Sequence, residues 1–122
     1  MITRRTILKS ADNSGAIELQ CIGFVGLGNR NYATIGDIIV CSVKKAEPNK
    51  QIKKGDVVKA IVVRQKKPFK RRDGTWIRFE ENACVLIKDN KELIGNRIFG
   101  PIPREIKEKG YDKIANLALE LV

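Results

Sequence analysis

Six of the nine residues from Arg64 to Arg72 are cationic: Arg64, Lys66, Lys67, Lys70, Arg71 and Arg72. A tip this dense in lysine and arginine can hold phosphate oxygens through charge-assisted hydrogen bonds. The same run would also serve as a solvated face that keeps a strand edge from pairing with another chain. The flanking residues say what carries it. Ala60-Ile61-Val62-Val63 is small or β-branched and apolar, which suits a strand in a core. Asp73-Gly74 supplies a turn, because glycine takes positive φ without a Cβ clash. The chain then returns as Thr75 to Glu80, with Ile77 and Phe79 on one face and Trp76, Arg78 and Glu80 on the other. The stretch from Ala60 to Leu86 therefore reads as a buried strand, a basic loop and two returning strand segments.

Other chemistries find few residues. The chain has no histidine, so the usual base near neutral pH is missing. Its three cysteines, Cys21, Cys41 and Cys84, form no C-x-x-C pair and cannot supply the four Cys or His ligands of a structural zinc site. Each sits among apolar strand residues and reads as a small buried hydrophobe. The Gly23–Gly28 stretch has the wrong spacing for a phosphate-cradling loop. No catalytic residue, cofactor or metal is expected.

The charge balance favours a polyanion. Among 122 residues, 24 lysines and arginines face 14 acids, giving a net charge of +10. Self-repulsion on so small a folded chain is relieved when a polyanion neutralises it. No apolar run approaches the roughly 20 residues that span a bilayer, and Met1 to Thr6 lacks the apolar core of a signal peptide. Membrane insertion is not expected.

Taken in order, the chain reads as mainly β. A short strand around Ile7-Leu8 precedes the Ala11–Ala16 turn, whose Asp, Asn and Gly favour tight geometry. Ile17, Leu19 and Cys21 should face inward, with a bulge near Ile22-Gly23-Phe24. Asn29 to Tyr32 forms a polar loop that offers Arg30. Ile35-Gly36-Asp37-Ile38 is echoed by Lys54-Gly55-Asp56-Val57, each Gly-Asp turn launching a β-branched strand. Between those strands lies a second basic loop bearing Lys44, Lys45, Lys53 and Lys54. Short strands with short connections predict an antiparallel meander closed as a small barrel. The run Ala83 to Ile87 should be covered on both faces. After an extended segment, Arg104 to Lys109 suits a short helix stopped by Gly110, and Tyr111, Ile114, Leu117, Ala118 and Leu121 mark one helical face. One domain over 1–122 is expected, with the barrel at about 1–95 and the extended segment and helices at about 96–122.

These motifs resemble the large-subunit ribosomal protein fourteen family. The likeness rests on Ala60-Ile61-Val62-Val63, nine residues to Asp73-Gly74, then Phe79, Asn82 and Val85-Leu86. The Ala11–Ala16 turn and the segment Gly95-Asn96-Arg97-Ile98-Phe99-Gly100-Pro101 strengthen it. The resemblance covers essentially the whole chain. It implies a five-stranded barrel with a helical tail, binding to large-subunit rRNA, contacts with neighbouring ribosomal proteins, an intersubunit bridge to small-subunit rRNA, and docking of a ribosome silencing factor. It also implies a ribosome in the bacterial cytoplasm, the mitochondrial matrix or a plastid. The family's usual C-terminal proline is absent after Leu117-Ala118, so the last helix should run on.

Under that reading the rRNA-binding set is Arg64, Lys66, Lys67, Lys70, Arg71, Arg72 and Arg78, then Lys44, Lys45, Lys53, Lys54 and Arg30. From Gly95 to Val122 the balance differs: five cations meet four acids. That leaves little field for a polyanion, and Asn96, Arg97, Phe99, Arg104 and Lys113 are expected to form a separate protein-facing and bridge-facing surface. A free-standing single-strand chaperone would want a row of aromatics for stacking, and only 6% of residues are aromatic.

Overall fold

Two Gly-Asp turns show how this sequence makes strands. Gly36 and Gly55 take φ of +87° and +92°. The aspartate after each accepts a hydrogen bond from a backbone N–H three residues back: Thr34 to Asp37 at 2.9 Å and Lys53 to Asp56 at 3.0 Å. The sequence echo is thus one turn design used twice, and each copy launches a strand of the barrel.

The computed structural model describes residues 1–122. The elements are β1 (Ile7–Ser10), β2 (Ala16–Val25), β3 (Ile38–Ala46), β4 (Val57–Arg64), β5 (Phe69–Lys70), β6 (Trp76–Ile77), β7 (Ala83–Ile87), β8 (Pro101–Ile102), α1 (Glu105–Glu108), α2 (Asp112–Leu117) and β9 (Glu120–Leu121). Strands β1-β2-β3-β4-β7 close a barrel, so the mainly β, five-stranded expectation holds. Two small sheets, β5-β6 and β8-β9, stand outside it.

The closure departs from an all-antiparallel meander. Five strands that alternate in direction leave the first and last pointing the same way, so the β1–β7 seam is parallel. It is also short, pairing only Lys9 with Ala83 and Ser10 with Cys84. The Ala11–Ala16 turn extends it. Ala11 N–H donates to Cys84 O at 2.8 Å. Beyond that point the buried Asp12 side chain takes over from the backbone: Oδ2 accepts from Leu86 N–H at 2.9 Å. Its Oδ1 accepts from the Ser14 hydroxyl at 2.6 Å, from Ser14 N–H at 3.2 Å and from the Ser10 hydroxyl.

The extended segment Gly95–Pro101 runs beside this seam as a strap. Asn13 Oδ1 accepts from the N–H groups of Asn96 and Arg97 at 2.9 and 3.1 Å. Phe99 N–H donates to Ala11 O at 2.7 Å. Gly95 is required by space: a Cβ there would lie 2.7 Å from Asn13 Oδ1 and 3.2 Å from Asp12 Cβ. The two glycine-bearing motifs of the sequence therefore meet in one knot.

Two other expectations are corrected. Ile17 faces solvent, because bulges between Ala16 and Leu19 shift the register, leaving Ala16, Leu19 and Cys21 inside. The bulge near Ile22 is present. The last helix does not run on: it ends at Leu117, and Ala118 is extended at ψ 133°. Backbone pairing wins over helix propensity there. Val122 N–H donates to Ile102 O at 2.9 Å, and Arg104 N–H donates to Val122 O at 2.9 Å. Leu121 thus lies on β9 and not on the helical stripe.

The core is one cluster that joins the barrel to the tail, with Ile98, Ile102, Ile106 and Ile114 packed into it. Residues Ala83 to Ile87 are all buried, as both-faced covering requires.

Asp12→Ala should cost about 3 kcal/mol, because it orphans a buried N–H on β7 and strips the serines of their acceptor. Urea unfolding of the variant beside the wild type measures it. A loss below about 0.5 kcal/mol would mean the seam holds without its carboxylate.

Candidate RNA interface

The basic loop after β4 folds into the small hairpin β5-β6. Gly74 takes φ +87°, Arg71 N–H donates to Thr75 O at 2.8 Å, and Asp73 Oδ1 accepts from the Thr75 N–H and hydroxyl at 3.0 and 2.6 Å. These two hydrogen bonds, followed by nearby arginines, hold the Asp73 carboxyl below its ordinary range. The strand pairing is short, Phe69 with Ile77 and Lys70 with Trp76. Phe69 packs against the core while Lys66, Lys67, Lys70, Arg72, Trp76 and Arg78 point into solvent.

Two arginines of the basic run are not on the surface. The Arg64 side chain is 7% exposed. Its Nη1 donates to the carbonyls of Phe99 and Pro101 at 2.9 and 3.0 Å, and its Nη2 to Glu81 at 3.2 Å. Burial lowers its pKa, and Glu81 opposes that shift. The guanidinium ties the strap to the end of β4. Gly100, at φ +80°, passes so close that a Cβ would lie 2.8 Å from Nη1. Arg71 is 10% exposed, with Nε 3.0 Å from Glu105 and Nη2 donating to Val122 O at 2.7 Å. Both were read from the sequence as rRNA contacts, yet both guanidinium groups are engaged by their own chain, with Arg71 Nε the one buried donor left without a hydrogen bond. A planar guanidinium with several fixed donors suits such knots better than an ammonium does.

Topology separates the remaining cations into two groups. The last residues of β3 carry Lys44 and Lys45 and the β3–β4 connection carries Lys53 and Lys54, all exposed, at the end of the barrel where β4 begins. The hairpin leaves from the other end of β4, where the loop bearing Arg30 also lies. Lys45 approaches Glu18 at 3.9 Å with both side chains solvated, an ion pair of little weight. Arg30 is committed in part: Nη2 is 3.0 Å from Asp37, and its guanidinium stacks 5.4 Å from the Tyr32 ring.

The sequence reading missed Arg4, Arg5 and Lys9. Arg4 and Arg5 lie just before β1, at the hairpin end, and are exposed. Their adjacency in the sequence was the available signal. Lys9 lines a cleft of about 590 Å³ with Arg64, Lys66, Arg78, Glu80 and Glu81. Nothing local in the sequence brings Lys9 there; the parallel seam does.

The tail residues divide as well. Asn96 and Lys113 line one shallow groove with Leu93, Asn116 and Leu117. Arg97 and Phe99 are exposed on the strap, Phe99 by half. Arg104 instead reaches Asp73 on the hairpin at 3.5 Å. The expected separation between hairpin and tail surface is therefore bridged by α1.

Barrel, strap, tail and basic loops define a class: a small β-barrel with a sealed core whose chemistry lies in charged loops. The whole chain, residues 1–122, matches the family model for ribosomal protein L14p/L23e, and the protein belongs to that family. Members are structural proteins of the large ribosomal subunit, part of a ribonucleoprotein that carries out translation, and not enzymes.

The three cysteines are free and buried in the core. Burial, aided by neighbouring Cys41, pushes the Cys21 thiol up to about 11. Cys84 is raised well above the usual thiol value, first by its hydrogen bond with the Cys41 thiol and then by burial. Since all three thiols are buried away from reagent, an aromatic disulfide reagent at about pH 8 should label none in the folded protein and all three once denatured. Rapid labelling of the native protein would contradict this packing.

Proposed function

We propose that this protein is held in the large subunit by rRNA phosphates at both ends of its barrel. The observation that supports this most is the placement of exposed cations. Lys66, Lys67, Lys70, Arg72 and Arg78 lie at one end and Lys44, Lys45, Lys53 and Lys54 at the other, all exposed on one frame. Phosphate contacts of this kind fix position and orientation and carry little sequence information. The wide groove of folded RNA suits them better than stacking would. The only strongly exposed ring among the hairpin aromatics is Trp76.

The second surface in this proposal is the strap and the groove beside it. Arg97 and Phe99 are exposed on the strap, and Asn96 and Lys113 line the shallow groove, a mix of polarity suited to a protein partner. By family resemblance it would contribute to the intersubunit bridge with small-subunit rRNA, contact neighbouring ribosomal proteins and dock a silencing factor. The compartment would be a bacterial cytoplasm or an organelle.

Two experiments test these readings. Binding to large-subunit rRNA should weaken with salt, and changing Lys70 and Arg72 to Gln should flatten the log–log slope by about 0.7–0.9 per residue. A slope that ignores both substitutions would remove the hairpin from the interface. Arg97→Glu should leave incorporation into large subunits intact in gradient sedimentation while weakening subunit joining or silencing-factor docking at least tenfold, about 1.4 kcal/mol. Failure of that variant to assemble would instead place Arg97 among the rRNA contacts.

A further inference from the structure

The hairpin that carries the most exposed cations is too short to hold itself. Two residue pairs join β5 to β6, and a lone two-stranded ribbon is marginal in water. Its tip is fastened from outside. Arg71 Nη2 donates to Glu105 Oε1 at 3.1 Å and to Val122 O at 2.7 Å, while Nε lies 3.0 Å from Oε2 as an ion-pair contact without a hydrogen bond of its own. Arg104, the residue before Glu105, reaches Asp73 in the same turn at 3.5 Å. The Val122 carbonyl accepts from Arg104 N–H as well, so α1, β9 and the hairpin tip share one clasp.

We infer that Glu105 is a positioning residue for RNA binding: with Arg71 it fixes the hairpin so that Lys70 and Arg72 meet phosphate without first being ordered. This rests on the phosphate-binding role proposed above for the hairpin. Lys70 and Arg72 flank Arg71 in the chain and are exposed, whereas Arg71 is turned inward and paired. Ordering long side chains and their loop at binding weakens association, and a clasp formed beforehand avoids that loss.

The inference runs against simple electrostatics. Glu105 is an acid beside a basic loop, so deleting its charge should tighten polyanion binding if charge alone mattered. The clasp predicts the reverse. Glu105→Ala in the full chain should weaken binding to large-subunit rRNA roughly tenfold, with an unchanged salt slope because no phosphate contact is lost. Trp76, the chain's one tryptophan, is 66% exposed on β6 and reports the hairpin directly. Its steady-state fluorescence anisotropy should fall in the variant without RNA present. The exchanged pair Arg71→Glu with Glu105→Arg should restore part of both readouts, since the ion pair returns while the bond to Val122 O does not. If Glu105→Ala does not fold, Glu105→Gln serves, since it keeps the shape while removing the charge, and the same falls are expected at smaller size. Tighter binding, or unchanged anisotropy with unchanged binding, overturns the clasp. A salt slope reduced by about 0.7–0.9 in Arg71→Gln also overturns it, since Arg71 would then itself contact phosphate. Wild-type protein that does not bind rRNA would sink the underlying RNA reading instead, and the anisotropy of the variants would still judge the clasp.

Discussion

Closing a five-stranded barrel forces one parallel seam, and that seam is the weak point on which the structure depends. Parallel pairing is slanted and slightly less favourable than antiparallel pairing, and here it spans two residue pairs. A carboxylate completes it. Asp12 stands where β1 has turned away, and its side chain does for Leu86 what a backbone carbonyl would have done. A buried charge of this kind is tolerable only because its lone pairs are occupied, and here the two serines and two N–H groups occupy them. The strap then grips the same turn through Asn13, so the tail can pack only on a closed barrel.

The charged residues fall into two kinds with opposite duties. Arg64 and Arg71 are internal fasteners whose forks are spent on carbonyls and carboxylates of the chain itself. The lysines at the two cationic ends are exposed, with at most a weak solvated pair such as Lys45 with Glu18. That both internal fasteners are arginines follows from their chemistry: a guanidinium is planar, with fixed donors and weak hydration, whereas an ammonium is a compact, flexible point charge. A domain with this much like charge holds together because its repulsion is carried at the loops, away from the dry core.

Much of this was legible in the residues. The Gly-Asp turns, the Asp-Gly hairpin and the buried β7 run each carry a local signature, and the barrel follows from short strands with short links. What was not legible depends on partners distant in sequence. Arg64 looks like its neighbours in the basic run, and only the arrival of Phe99 and Pro101 distinguishes it. Ile17 looks inward by alternation, and a bulge set by the facing strand turns it out. The final helix looks extendable by propensity, and a two-residue pairing with β8 stops it. The division of the lysines between two barrel ends was available in principle, since it follows from strand order. It needed the meander to be followed through and not merely named.

If rRNA phosphates meet both ends as proposed, that division makes the protein a bivalent ligand. Strand β4 separates the two cationic ends by its 8 residues, roughly 26 Å of rigid rod. An RNA that meets one end gains the second only when another of its segments already stands at that spacing, because a rigid linker sets the effective concentration of the second contact by geometry alone. Unfolded RNA, whose segments wander, would meet one end at a time and release about half the counterions. Under that proposal, discrimination between folded and unfolded RNA would need no base to be read: the length of one strand would measure the tertiary structure.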